Sequence, residues 1–225
     1  MVGKVPESSL AKDPETAWKS PPSVVVFDMG GVLIDWNPRH LYRKLIDDPQ
    51  AMERFLDTVT TTAWHMRQDA GGDPAEATRR LQAEHPEHAA LIEAFYDRFD
   101  EMLDHSFPAM VGLVERLHAA GTPLYLLSNA PAFLDGWARG RGRRRHPFLG
   151  CFRDVVVSGL VGCCKPDAAI YRLVCQAGAF QPHEAVLIDD NLPNVEGARG
   201  FGMHAVHHVS AERTTTALRE LGLPV

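Results

Sequence analysis

The chain has 225 residues, 45% of them hydrophobic and 23% charged, enough for one α/β domain with a sizeable insertion and a well-buried core. Its formal charge of -6 argues against a general nucleic-acid binder, whose affinity would come from neutralising phosphates. No window approaches the apolar length of a membrane span and the N-terminus lacks the apolar centre of a signal peptide, so a cytoplasmic protein without membrane or nucleic-acid partners is expected.

Residues 1–20 mix Lys, Glu, Ser, Pro and Asp without periodicity and read as a loose N-terminal arm. Val24-Val25-Val26-Phe27 follows, a short β-branched run between Pro21-Pro22 and Gly30-Gly31, which is the pattern of a strand buried on both faces. The run delivers Asp28 to its carboxyl end, where open α/β sheets build their ligand crevices. A lone Asp there is equally a turn former, and the remaining chain has to decide.

From Pro38 to about residue 106 the pattern is helical and broken at Asp48-Pro49, Gly71-Gly72-Asp73-Pro74 and His85-Pro86. Met52, Phe55, Leu56 and Val59 form one apolar stripe, and Leu91, Ile92, Phe95, Tyr96 and Phe99 another. No strand signal interrupts them, which predicts an all-helical cap over 38–106 inserted into a core of 21–37 and 107–225.

The alternation then resumes. A helix through Val111, Leu113, Val114 and Leu117 closes at Gly121, and Pro123 to Leu127 is a buried strand ending on Ser128-Asn129. Phe152 to Val157 is a shorter strand, with a helix after Lys165-Pro166. Ala185 to Ile188 ends on Asp189-Asp190, a helix surrounds Val195, and Ala205 to His208 is the final strand. This βαβα order implies a Rossmann-like, doubly wound and mainly parallel sheet.

Three strands thus end in polar groups, Asp28, Ser128-Asn129 and Asp189-Asp190, with Lys165 at a helix entrance. Each alone is explained as a cap or turn. Together, one Lys and three carboxylates have the composition of a site for a divalent cation and a phosphate.

These motifs, in this order, resemble the haloacid dehalogenase superfamily of hydrolases over roughly residues 23 to 210. The stretch Phe27-Asp28-Met29-Gly30-Gly31-Val32-Leu33-Ile34-Asp35-Trp36-Asn37-Pro38 is most similar to the bacterial sugar-phosphate phosphatases, glucose-1-phosphate phosphatases among them. The resemblance implies a small phosphorylated substrate, Mg²⁺ and Asp28 as a nucleophile that forms an aspartyl-phosphate. It also implies Ser128, Asn129 and Lys165 at the phosphate, Asp190 tethering Lys165, Mg²⁺ on Asp28, Asp189 and the Gly30 carbonyl, and Asn194 near the metal. Trp36 is expected at the mouth of the site, in a monomer or homodimer.

One departure stands out. Many phosphatases of the superfamily carry a second Asp two residues after the nucleophile, where it protonates the leaving oxygen, and here that position is Gly30. Asp35, a residue of the cap, or a leaving group that needs little protonation could each make up for it. The gap also leaves open a 2-haloacid dehalogenase attacking carbon, although those enzymes generally lack the paired acids found here, and an inactive binding protein of the same fold.

Other features receive plainer readings. Cys151, Cys163, Cys164 and Cys175 lack zinc spacing and read as free thiols. The basic run from Arg139 to Arg145, interrupted by Gly140 and Gly142, reads as a solvated loop or frayed helix. Trp64, His65, Gln68 and Asp69 are either substrate contacts from the cap or packing between cap and core.

Overall fold

The computed structural model describes residues 21–225, so the expected arm over 1–20 lies outside the described residues. Five strands form one sheet: β1 (Val24–Phe27), β4 (Leu124–Ser128), β5 (Asp154–Val157), β6 (Ala185–Asp189) and β7 (His204–His207). Their order is β5-β4-β1-β6-β7, and every neighbouring pair is parallel. Successive residues of β1 point to opposite faces. Val25 and Phe27 enter one core with Leu113, Leu117, Leu126 and Ile188, while Val24 and Val26 enter another with Leu127, Ile170, Val174 and Leu187. Both faces are covered, which is why this strand reads as an unbroken apolar run.

Helices supply the covers. α6 (Pro108–Ala119) and α12 (Ala211–Glu220) contribute Leu113, Leu117 and Leu218 to the first core; α10 (Ala168–Gly178) and α11 (Leu192–Phe201) contribute Ile170, Val174 and Ala198 to the second. The helix α12 lies beyond the last element expected from the sequence. Ser210 caps it by accepting from the Arg213 amide, and Leu218 is completely buried.

Between β1 and α6 lie α1 (Arg39–Tyr42), α2 (Pro49–Thr58), α3 (Thr62–Asp69), α4 (Pro74–Glu84) and α5 (Ala89–Asp97). The helical reading of this block needs one correction. Its last four residues are a strand, β3 (Leu103–Ser106), paired antiparallel with β2 (Ile34–Trp36), which lies just before the block. Each has only three or four residues, with a partner almost seventy positions away, so no local periodicity announces them.

The arginines of the basic run are exposed, as expected of a solvated segment, but part of the run is a formed helix. After α7 (Phe133–Arg139) it forms α8 (Arg141–Arg145), whose Gly142 lies so close to Trp137 that a Cβ would come within 2.5 Å of the ring. Arg139 pairs with Asp135 and Asp154, and Arg141 with Asp100 at 2.8 Å. Arg145 donates to the carbonyls of Asp100 and Asp104, at 3.0 and 2.8 Å. His146 Nδ1 meets Ser106 Oγ at 2.6 Å. Arg139, Arg141 and Arg145 are thus anchored, and the last two fasten the core to Asp100 and to strand β3. The short helix α9 (Ser158–Val161) follows β5 directly.

Candidate active site

The parallel register sets the carboxyl ends of β1, β4 and β6 side by side, with Phe27 opposite both Leu126 and Ile188. Asp28, Ser128 and Asp189 therefore arrive at one edge, as the strand endings imply. Asp28 Oδ1 accepts from the Met29 amide at 2.7 Å and lies 2.9 Å from Lys165 Nζ. The Lys165 side chain is fully buried and donates also to Asp189 Oδ2 at 2.6 Å and to the Leu127 carbonyl at 2.9 Å. All three of its protons are engaged by protein groups.

Asp189 is equally committed. Besides the lysine, its Oδ1 accepts from the Asn191 amide at 2.9 Å and from Asn194 Nδ2 at 3.0 Å. The tether of Lys165 is thus Asp189, not Asp190 as expected from the sequence. Asp190 lies over the glycine turn, where a Cβ on Gly31 would fall 2.3 Å from its Oδ2, and Gly31 has φ +72°. Only glycine satisfies both constraints. Side-chain oxygens of Asp28, Asp189 and Asp190 lie within 4.8 Å of one another.

Burial pushes the Asp28 carboxyl above the usual range, Lys165 pulls it back, and Asp189 adds to the rise. Burial also works against the Lys165 ammonium, but Asp28 and Asp189 outweigh it and hold its pKa above the ordinary lysine range. Three carboxylates against one ammonium leave an excess of negative charge. Hard oxygen donors in such a group match a Mg²⁺ ion, which keeps several waters and needs few protein ligands.

Asn129 lines a cavity beside Ser128, and its side chain is engaged with the Lys165 backbone. Its Oδ1 accepts from the Lys165 amide and its Nδ2 donates to the Lys165 carbonyl, both at 2.9 Å. The amide clamps the lysine's backbone to the end of β4. Ser128 is buried and lines the same cavity.

That cavity encloses about 330 Å³. Asp28, Gly30, Gly31, Ser128, Asp190 and Asn194 form its floor, and Trp36, Phe99, Leu103 and Leu134 its apolar wall. From α3 come Thr62, His65, Met66 and Asp69. Their spacing of three, four and seven places them on one helical face, a signal that was present in the sequence. Trp36 stacks on His65, ring centroids 5.2 Å apart and 17° from parallel. Trp64 and Gln68 do not line this cavity: Trp64 packs on Phe95 and Tyr96, and Gln68 donates to the Trp64 carbonyl. Asp35 is held by His40 Nε2 at 2.8 Å and is absent from the lining.

A parallel sheet with a helical insertion, and an aspartate beside a buried lysine at its carboxyl edge, have the architecture of an α/β hydrolase. The chain belongs to the haloacid dehalogenase-like hydrolase family, which matches residues 22–202. A sesquiterpene phosphatase of Aspergillus oryzae is 26% identical over 198 residues, 87% of this chain and 94% of that protein. A family enzyme of Bacteroides thetaiotaomicron, solved as a magnesium complex, superposes with a TM-score of 0.64 at 19% identity, over 84% of this chain and 94% of its own. L-2-haloacid dehalogenase of Xanthobacter autotrophicus, solved with chloropropionic acid covalently bound, gives 0.59 at 18% identity, over 90% and 84%. Both solved structures share the fold, so the fold alone does not choose between phosphorus and carbon as the centre attacked.

Proposed function

We propose that the protein is a Mg²⁺-dependent phosphatase acting on a small phosphomonoester through an aspartyl-phosphate on Asp28. The observation that carries this reading is the crowding of Asp28, Asp189 and Asp190 around the single ammonium of Lys165. Such a site binds a cation and, through it, a phosphate dianion; without one it would repel the carboxylate of a haloacid. Asp28, the Gly30 carbonyl and Asp190 would hold the ion, Asp189 having both oxygens engaged elsewhere. When bound, the ion offsets the charge of the phosphate and of the attacking carboxylate.

The residues of the chain divide the remaining work. Lys165 and the Met29 amide fix one oxygen of Asp28, which leaves the other for in-line attack on phosphorus. Ser128 donates to the phosphoryl oxygens, and Asn129 keeps Lys165 in register. Trp36 and α3 cover the substrate and exclude water, and the ribbon of β2 and β3 is where the cap would move.

The organic part of the substrate meets Trp36, Met66, Phe99, Leu103 and Leu134. That wall favours a phosphate ester with an apolar flank over a bare polyol, in line with the terpenoid substrate named for the Aspergillus relative. A phosphate-release screen tests the reading, with isoprenyl, aryl and sugar phosphates and 2-haloacids as controls. Turnover that EDTA abolishes and Mg²⁺ restores, together with a beryllofluoride adduct on Asp28, is the expected result. Halide release without metal would overturn it.

A further inference from the structure

Gly30 offers no side chain where many relatives place a proton donor, and Asp35 is bound to His40 outside the cavity. One carboxyl reaches the cavity from the cap, and it is Asp69 at the end of α3. Asp69 is 7% exposed, and its Oδ1 is buried without a hydrogen-bond partner among the described residues. His65 Nε2 stands 3.5 Å away, without a hydrogen bond between them. A buried acid left in this state costs stability, and such groups cluster where chemistry needs them.

Its position is fixed from two sides. The Asp69 carbonyl accepts from Cys164 Sγ at 3.2 Å, and a Cβ on Gly71 would lie 3.4 Å from Gly162, so the end of α3 rests on the loop that carries Lys165. His65 stacks on Trp36, and its Nδ1 meets the Tyr96 hydroxyl at 3.1 Å, which holds the ring beside the carboxyl. The cap therefore brings Asp69 to the cavity whose floor holds Asp28.

We propose that Asp69 is the acid and base of the reaction, giving a proton to the leaving oxygen and later taking one from the attacking water. The assignment rests on the phosphatase reading. As Asp28 bonds to phosphorus, the ester P–O bond breaks, its electron pair stays on the leaving oxygen, and that oxygen takes the proton of Asp69. Water then attacks phosphorus, its proton passes to Asp69, and the P–O bond to Asp28 breaks to restore the carboxylate. Burial lifts Asp69 to about 7, so both protonation states are within reach near neutrality. The titratable groups around it are His65 on its own helix, Tyr96 on α5 and Cys164 on the core loop. Burial keeps His65 neutral by lowering its pKa to about 4.

The test is single-turnover phosphorylation of the Mg²⁺-loaded enzyme with two esters, p-nitrophenyl phosphate and an alkyl phosphate. Nitrophenolate leaves without a proton, whereas an alkoxide does not. For Asp69→Asn, phosphorylation by the alkyl ester should fall roughly 10²–10⁴-fold, the usual worth of a general acid, and by the aryl ester less than about tenfold. The variant should then release a burst of nitrophenolate and accumulate phosphorylated Asp28. Asp69→Glu, which keeps the carboxyl, should recover part of the alkyl rate. Equal losses on both esters, or no loss on either, would overturn the assignment while leaving the phosphatase reading intact. A wild-type enzyme that hydrolyses neither ester, with no adduct on Asp28, would overturn both.

Discussion

Lys165 Nζ lies 2.6 Å from Asp189 Oδ2, with neither side chain exposed to solvent. Truncating either partner leaves an uncompensated charge in the interior. Lys165→Met should destabilise the fold by about 3–5 kcal/mol and abolish turnover. Lys165→Met combined with Asp189→Asn should regain most of the stability and none of the activity. Urea denaturation and phosphate release, measured on the same three proteins, check the pair.

The two adjacent acids should separate by their response to metal. Asp190→Asn is expected to raise the Mg²⁺ concentration for half-maximal activity by at least about tenfold, within the range for disturbed metal shells. Asp189→Asn should instead lower stability and turnover at saturating Mg²⁺, since it unties Lys165, Asn191 and Asn194. A calorimetric Mg²⁺ titration in which Asp189→Asn weakens binding and Asp190→Asn does not would reverse the assignment.

Asp69 makes stability depend on pH. Its pKa is lifted by burial to about 7, above the ordinary aspartate value, so the folded state binds more protons than the unfolded chain between about pH 4 and 7. Its contribution is full below pH 4 and is lost as pH rises through 7. For Asp69→Asn that loss disappears, and at pH 8 the variant should be the more stable by on the order of 3 kcal/mol. Thermal melts of both proteins at pH 5 and pH 8 measure it.

Arg145 ties α8 to the carbonyls of Asp100 and Asp104, next to the ribbon where the cap joins the core. Arg145→Ala should cost about 1 kcal/mol, or about 2–4 °C in Tm. Because the arginine does not line the cavity, its loss should act through the approach of the cap, and KM and kcat should shift together. A change in Tm with both kinetic constants untouched would show that the contact is structural alone.

The strands of the central sheet were legible because burial on both faces demands continuous apolar runs, as in Val24 to Phe27 and Ala185 to Ile188. The polar residues that end them were legible for the same reason: they stand where the apolar run stops. β2 and β3 were not, being short and paired across the whole insertion. The exposure of the Arg run was legible but its helical order was not, because its glycines argue against a fixed helix locally, whereas packing on Trp137 and pairing with Asp100 supply the order from elsewhere.

The sequence by itself determined which chemistry is on offer: an aspartate, a lysine and two further acids at strand ends and a helix start. The order of motifs along the chain carries that. Which acid holds the lysine, which is left over the glycine turn, and which cap residues line the same cavity as Asp28 were decided only by tertiary structure. Neighbours such as Asp189 and Asp190 have the same local sequence signal but different surroundings, Asp189 being fully buried against Lys165 and Asp190 exposed over the glycine turn. The role proposed for Asp69 rests on its burial and on an Oδ1 without a hydrogen bond among the described residues, neither of which exists until α3 is laid against the core.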